Sequence, residues 1–404
     1  MLGVPSIRQF EKYLGLPALV GRAKKQSFIY IKERVWKKLQ GWKEKLLSQV
    51  GREVLIKSII QAISTYTMCC FKLPKGLVRD LESMIRKFWW GYSGEHRKTH
   101  WVKWEHLCEA KEVGGMGFKE IEKFNDTLLA KQVWRLINNT DSLCHRVFKA
   151  RFFPNCSILD AKESSSGSYA WKSIIGARDV IRKGMVWRIG IGEAVRIKED
   201  KWLPGRVNCS IISHLPSLAL DVKVNSLIVP DRAAWRTEAM QQMFKPHEVD
   251  IILGIPLSTR CPDDRIIWAH TPTGMFMTCS AYKMLVSCDI SSSASGLNPK
   301  GQKKFWKSIW QFQVPNKIKH FLWRICNNAL PIMANLHWRH IIPSASCAQC
   351  NTLLEDSLHA VWYYEVVTKV WSTMEQFHQT ASSHPTSFNK LLASFLFSRE
   401  EFRA

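Results

Sequence analysis

Apolar residues recur at helical spacing from Ser27 onward. Phe28, Ile31, Val35, Leu39 and Trp42 fall within roughly an 80° arc when wound at helical pitch. Lys37 points away from that arc, flanked by Arg34, Lys38 and Lys45, so the pattern predicts an amphipathic helix with a basic face, broken at Gly41. The next segment, Arg52 to Phe71, is apolar on most sides (Leu55, Ile56, Ile59, Ile60, Ile63, Tyr66) and reads as a buried helix ending before Pro74. Leu77, Leu81, Met84, Ile85 and Phe88 stripe a third helix, stopped by Gly91. Three such helices predict a compact helical bundle. Ahead of them, glycines and Pro17 punctuate residues 1–26 as a short strand and a basic loop.

Further along, the period changes repeatedly. Residues 91–120 are loop-rich, and Gly114-Gly115-Met116-Gly117 reads as a tight turn, because it lacks the Gly-Lys-Ser/Thr of a phosphate loop. Leu129, Val133, Leu136 and Ile137 share a helix face, with Asn125 or Asp126 as N-cap. Residues 163–168 form a polar linker, followed by a helix over Trp171 to Ile181. Val186–Ile189 and Ala194–Ile197 alternate like a β-hairpin around Gly190 and Gly192. A helix is expected near Arg232 to Phe244 and a strand at Ile266–Trp268. Gly274 would turn that strand into a second hairpin arm at Phe276–Thr278, and a helix follows from Ser280 to Val286. Residues 288–303 are Ser/Gly-rich and linker-like. Beyond them lie Phe305–Trp310, a helix over Lys317 to Ala329 with Phe321, Leu322 and Ile325 on its apolar face, and a helix over Asp356 to Phe377. The fold class is therefore mainly α with small β-hairpins (α+β).

Composition adds a partner. The chain has 404 residues, enough for two or three domains, and is 46% hydrophobic, which supports real cores and excludes a disordered chain. Its net charge is +24, which calls for a polyanion, most simply RNA or DNA. The first hundred residues hold 20 Lys/Arg against 7 Asp/Glu, so over half of the excess lies there. The basic face of the first helix can track a phosphate backbone or be an ordinary solvated face. The twelve cysteines sit mostly in apolar segments and read as reduced thiols. Neither a signal peptide nor a membrane-length apolar run is found, which places the expectation in the nucleus or cytoplasm.

One cluster has metal-ligand spacing. Cys347 and Cys350 stand two residues apart, and His359 follows at nine. Two thiolates and an imidazole can hold one Zn²⁺, and a closed structural site needs a fourth ligand. The adjacent pair Asp263-Asp264 has the composition of a Mg²⁺ site, but it follows Cys261-Pro262 and precedes a short strand, so it reads as a turn.

Long runs across the chain resemble the C-terminal part of plant non-LTR (LINE-type) retrotransposon reverse transcriptases. They include Lys12-Tyr-Leu-Gly-Leu-Pro17, Gly41-Trp-Lys-Glu-Lys-Leu-Leu-Ser48, Gln61-Ala-Ile-Ser-Thr-Tyr66, Phe71-Lys-Leu-Pro74 and Phe88-Trp-Trp-Gly91. Gly114-Gly-Met-Gly-Phe118, Leu129-Ala-Lys-Gln-Val-Trp-Arg-Leu136 and Pro315-Asn-Lys-Ile-Lys-His-Phe-Leu-Trp323 continue the match. The resemblance implies a thumb-like basic helical region over 1–110, a mixed connecting region with hairpins over 111–290, a reverse-transcriptase zinc-binding domain over 304–378 and a tail over 379–404. It implies that the thumb-like part grips nucleic acid through Lys24, Lys25, Arg34, Lys37, Lys38 and Lys45. It also implies zinc on Cys347, Cys350 and His359, with an acidic position at Glu355 and a Cys five residues after the His. Tyr364 stands at that last position, and a phenol with a pKa of about 10 is a poor zinc ligand at neutral pH. Glu355, Asp356, Glu365 and His340 are the alternative fourth ligands, and spacing selects none. The family's polymerase aspartates precede the Lys-Tyr-Leu-Gly-Leu-Pro segment. The expectation is thus a non-catalytic fragment, without polymerase, endonuclease or ribonuclease H motifs. The competing readings are a degenerate transposon remnant and a Trp-rich protein-interaction module.

Overall fold

The computed structural model describes residues 12–43, 47–93, 96–97, 99–162, 167–205, 209–213, 222–229, 233–290, 299–351, 353–374 and 385–397. Lys45, most of the two linkers and half of the 379–404 tail lie outside them. Helices dominate, and among the described residues the strands form four two-stranded sheets. The fold is mainly α with small β pairs, as the periodicity implies.

Two compact units share the chain. The first gathers Met1–Tyr66, Leu73–Glu122 and Ala294–Ala404, so the N-terminal helices and the C-terminal helices belong to one body. The predicted stripes hold here. Phe28, just before the helix Ile29–Lys43, and Ile31, Val35 and Leu39 along it are buried, as are Leu77, Leu81, Met84, Ile85 and Phe88 along Lys75–Trp90. Gly91 ends the latter at φ +84, a left-handed value that only glycine adopts without strain. Gly41 does not break its helix, which runs on to Lys43 with Gly41 at the exposed face. The Arg52–Phe71 segment departs further from expectation. Its helix starts at Gln49, capped by Ser48, and then widens into a π turn over Ile56–Ile60. That shift rotates the following residues, leaving Tyr66 half-exposed and burying Gln61.

Glu53 is also buried, and it organises the unit's polar core. Its carboxylate accepts from Lys57 at 2.6 Å, Lys111 at 2.7 Å and His320 Nε2 at 3.0 Å. Burial pushes this carboxyl up, but the hydrogen bonds from His320, Lys111 and Lys57 outweigh it and hold it down at about 2. The His320 ring sits between Trp89 and Trp310, with centroids 6.0 and 5.6 Å away, and Lys111 caps the Trp310 face at 3.9 Å. Beside this network the Gly114–Gly117 turn makes its contacts. Gly114 takes φ +100, its carbonyl accepts from Trp323 Nε1 at 2.6 Å, and a Cβ there would meet the Trp306 ring at 2.9 Å. At Gly115 a Cβ would strike the Glu109 carbonyl oxygen at 2.1 Å. The glycines thus let a loop press against tryptophan-bearing helices, as a tight turn does and a phosphate cradle does not.

The second unit comprises Thr67–Lys72 and Lys123–Ser293. Asn125 is not an N-cap. The helix begins at Ile121, and Asn125 lies inside it, fully buried, donating to the carbonyls of Met68 and Phe71 at 2.9 and 3.0 Å. Trp171 is fully buried, stacked on Phe152 at 4.5 Å, in a core with Val133, Ile175 and Trp268. The expected hairpin at 186–197 is replaced by a long-range pair. Met185–Arg188 runs antiparallel to Arg265–Trp268, with Val186 opposite Ile267. Residues 190–194 instead wrap the Asp264 carboxylate, which accepts from the N–H groups of Gly190, Gly192 and Ala194 at 2.7, 3.0 and 2.8 Å. This is the turn reading of Asp263-Asp264, with the charge spent on backbone donors. The second hairpin arm at 276–278 is also absent, because Thr278 already opens the helix Thr278–Ile290. The helix near 232–244 is shorter, Thr237–Met243, and a second, Pro246–Leu253, follows it.

Candidate metal centre

Cys347, Cys350 and His359 converge. Their ligand atoms all lie within 4.8 Å of one another, and Cys350 Sγ is 3.7 Å from His359 Nε2. A tetrahedral zinc with ordinary Zn–S and Zn–N bonds sets an S–N edge of about 3.6 Å. The donor set and its spacing therefore fit zinc. Cys347 and His359 are buried and Cys350 is exposed, so the cluster opens to solvent on one side.

Backbone bonds hold the cluster in place. The Cys347 N–H donates to the Leu353 carbonyl and the Asn351 N–H to the Cys347 carbonyl, both at 2.9 Å. Asn351 takes φ +53, which an Asn tolerates better than most residues, and Ser346 bridges Leu354 in antiparallel fashion. His359 opens a π turn, His359–Tyr363, whose first N–H is accepted by Asp356 Oδ1 at 2.7 Å. The expected long helix over 356–377 is thus a π turn followed by Glu365–Ser372. Tyr364 closes the turn, half-buried, its N–H bonded to the His359 carbonyl at 2.8 Å.

Among the described residues no fourth His, Cys, Asp or Glu joins the three. Three of the alternative ligands are engaged elsewhere. Glu355 accepts the Met333 N–H at the start of the helix Met333–Trp338, Asp356 caps the π turn, and Glu365 pairs with Lys369 at 2.9 Å. The two carboxylate caps are what spacing alone missed. An Asp three residues before the His, at a helix start, is the feature that identifies the second.

Before these ligands, the helix Asn316–Cys326 buries His320, Trp323 and Ile325. Phe321 is 47% exposed, contrary to the expected face. His320 is drawn inward by Glu53, which turns the neighbouring Phe321 outward.

Comparison with known proteins supplies the family. Residues 276–371 match the family described as zinc-binding in reverse transcriptase. A mitochondrial protein of Arabidopsis thaliana, itself uncharacterised, is 38% identical over 143 residues, which cover 35% of this chain and 93% of that protein. The chain belongs to the reverse transcriptases of plant retrotransposons, in their C-terminal, zinc-binding part. A second Arabidopsis thaliana relative, whose name designates it a candidate ribonuclease H, is 29% identical over 358 residues. These cover 86% of this chain and 55% of that relative, so the chain spans little more than half of its length. The segment matching the zinc-binding family begins at residue 276 and takes in the helix Thr278–Ile290.

The basic residues expected to grip nucleic acid lie in the first unit. Lys24, Lys25, Arg34, Lys37 and Lys38 are exposed. Lys25 shares Asp80 with Lys32, at 3.0 and 2.9 Å, and these hydrogen bonds, Lys32's first, pull the Asp80 carboxyl below its usual range. Arg34, Lys37 and Lys38 project from the solvent face of the helix Ile29–Lys43, opposite its buried stripe. No helix among the described residues is long and apolar enough to cross a membrane.

Proposed function

We propose that this chain is a non-catalytic, nucleic-acid-binding part of a retrotransposon reverse transcriptase, its C-terminal module closed by zinc on Cys347, Cys350 and His359. The observation that carries the reading is the convergence of two thiols and one imidazole at tetrahedral spacing, inside a segment matching the reverse-transcriptase zinc-binding family. Zinc here is structural. It would tie the Cys347–Cys350 loop to the turn carrying His359, two segments otherwise joined by few backbone bonds.

Nucleic acid is the partner that the charge favours. The net charge is +24, and Lys24, Lys25, Arg34, Lys37 and Lys38 present it on one short stretch of surface. Of the aspartate pair at 263–264, Asp264 is taken up by three backbone donors and Asp263 is exposed, which supports reading the pair as a turn and not as a centre for phosphoryl transfer. The test is fluorescence anisotropy with labelled single-stranded RNA and DNA across a salt series. Binding at low salt that weakens steeply with ionic strength supports the reading. No binding at low salt rejects it.

A further inference from the structure

A cavity of about 530 Å³ lies in the first compact unit. Arg52 and Arg324 line it, with Trp90 and Trp101, and no described carboxylate does. Each guanidinium is bound to one carbonyl. Arg52 Nη1 donates to Trp89 at 3.4 Å, and Arg324 Nε and Nη2 donate to Ala329 at 3.1 and 3.0 Å. A guanidinium carries five N–H donors, so several on each remain for a ligand. Burial lowers the pKa of both arginines, and no acidic group among the described residues raises either. Trp90 is 6% exposed, and its indole N–H has no hydrogen-bond partner among the described residues. A third guanidinium, Arg339, lies 5.0 Å from the centre of the Trp101 ring and donates to the Trp101 carbonyl at 2.8 Å.

Elsewhere in the same unit the chain compensates its buried charge. Glu53 pairs with two lysines and a histidine, whereas Arg52, one residue earlier, has no anionic partner among the described residues. Partly buried charge without a counter-ion is costly, and convergent arginines are the arrangement that captures phosphate. The volume is that of a small-molecule site and accommodates a nucleotide.

We propose that this cavity binds the phosphate group of a nucleotide, held between Arg52 and Arg324, with the base against Trp90 or Trp101. The choice of a nucleotide over another phosphate ester rests on the nucleic-acid reading above; the anion site itself does not.

Isothermal titration of the full chain with uridine 5′-monophosphate, uridine and inorganic phosphate tests it. The monophosphate is expected to bind at least about tenfold more tightly than uridine, with inorganic phosphate weaker than the monophosphate. Arg52→Gln and Arg324→Gln are expected to lose that binding. Because each arginine also holds a carbonyl, Gln49→Glu and Thr99→Glu serve as second variants. Both side chains line the cavity, and both substitutions add a carboxylate while leaving the guanidinium contacts in place. Each is expected to weaken the monophosphate by about tenfold or more. Monophosphate binding no tighter than uridine, or unchanged in both Glu variants, overturns the proposal. So does a chain that takes up single-stranded RNA in a salt-dependent way yet shows no binding of the monophosphate, and that result leaves the proposed function standing. Monophosphate binding in a chain that ignores RNA supports the cavity and counts against the broader reading.

Discussion

Tyr364 sits one turn beyond His359, its N–H on the His359 carbonyl, where the resemblance calls for a thiolate. A thiolate there adds a soft, anionic fourth ligand. Tyr364→Cys is therefore expected to tighten zinc by at least about tenfold, read by competition with a chromophoric chelator. Equal affinity in the two proteins would show that the fourth position lies elsewhere. Glu53 makes a second residue-scale test. Its folded carboxyl, at about 2, lies below its unfolded value near 4.3. Its contribution is therefore complete above about pH 4.3 and is lost as the pH falls toward 2. Glu53→Gln should cost on the order of 3 kcal/mol in urea unfolding at neutral pH. The gap from wild type should close in acid. A gap that stays constant with pH would contradict this account.

At the scale of elements, two glycine-rich stretches act through geometry. Gly115→Ala must displace the Glu109 carbonyl, so it is expected to destabilise by at least about 2 kcal/mol, whereas Gly41→Ala, on an exposed helix face with open space around it, should stabilise by up to about 1 kcal/mol. Asp264→Ala removes the acceptor of three backbone N–H donors and should cost about 2 kcal/mol or more, while Asp263→Ala, exposed, should cost little; chemical denaturation separates them. The helical stripes were legible because burial follows the 3.6-residue period. Phe28, Ile31, Val35 and Leu39 needed nothing else. The strands were less so. Met185–Arg188 pairs with a partner almost eighty residues away, and local alternation carries no information about that distance, so a nearby hairpin was the natural reading. Tyr66 and Phe321 were misplaced for a related reason. A π turn shifts the phase of one helix, and a buried Glu53–His320 pair sets the phase of the other. The metal triad was legible from spacing, but Asp356 and Glu355 as caps required the backbone.

For the whole molecule, the N-terminal helices and the C-terminal module share one compact unit, joined through Glu53, Lys111, His320 and the Gly114 turn. Binding of single-stranded nucleic acid should then follow the basic helix face. Replacing Arg34, Lys37 and Lys38 together with Gln should lower the slope of log affinity against log salt by up to about 2, with no change in zinc content. An unchanged slope would move the contact surface away from this helix. The central claim is the zinc-closed module, and elemental analysis of the purified chain tests it most directly. We predict about one zinc per chain in the wild type and a large loss in Cys347→Ser. A wild-type chain without zinc, or a Cys347→Ser chain that retains it, would contradict the claim.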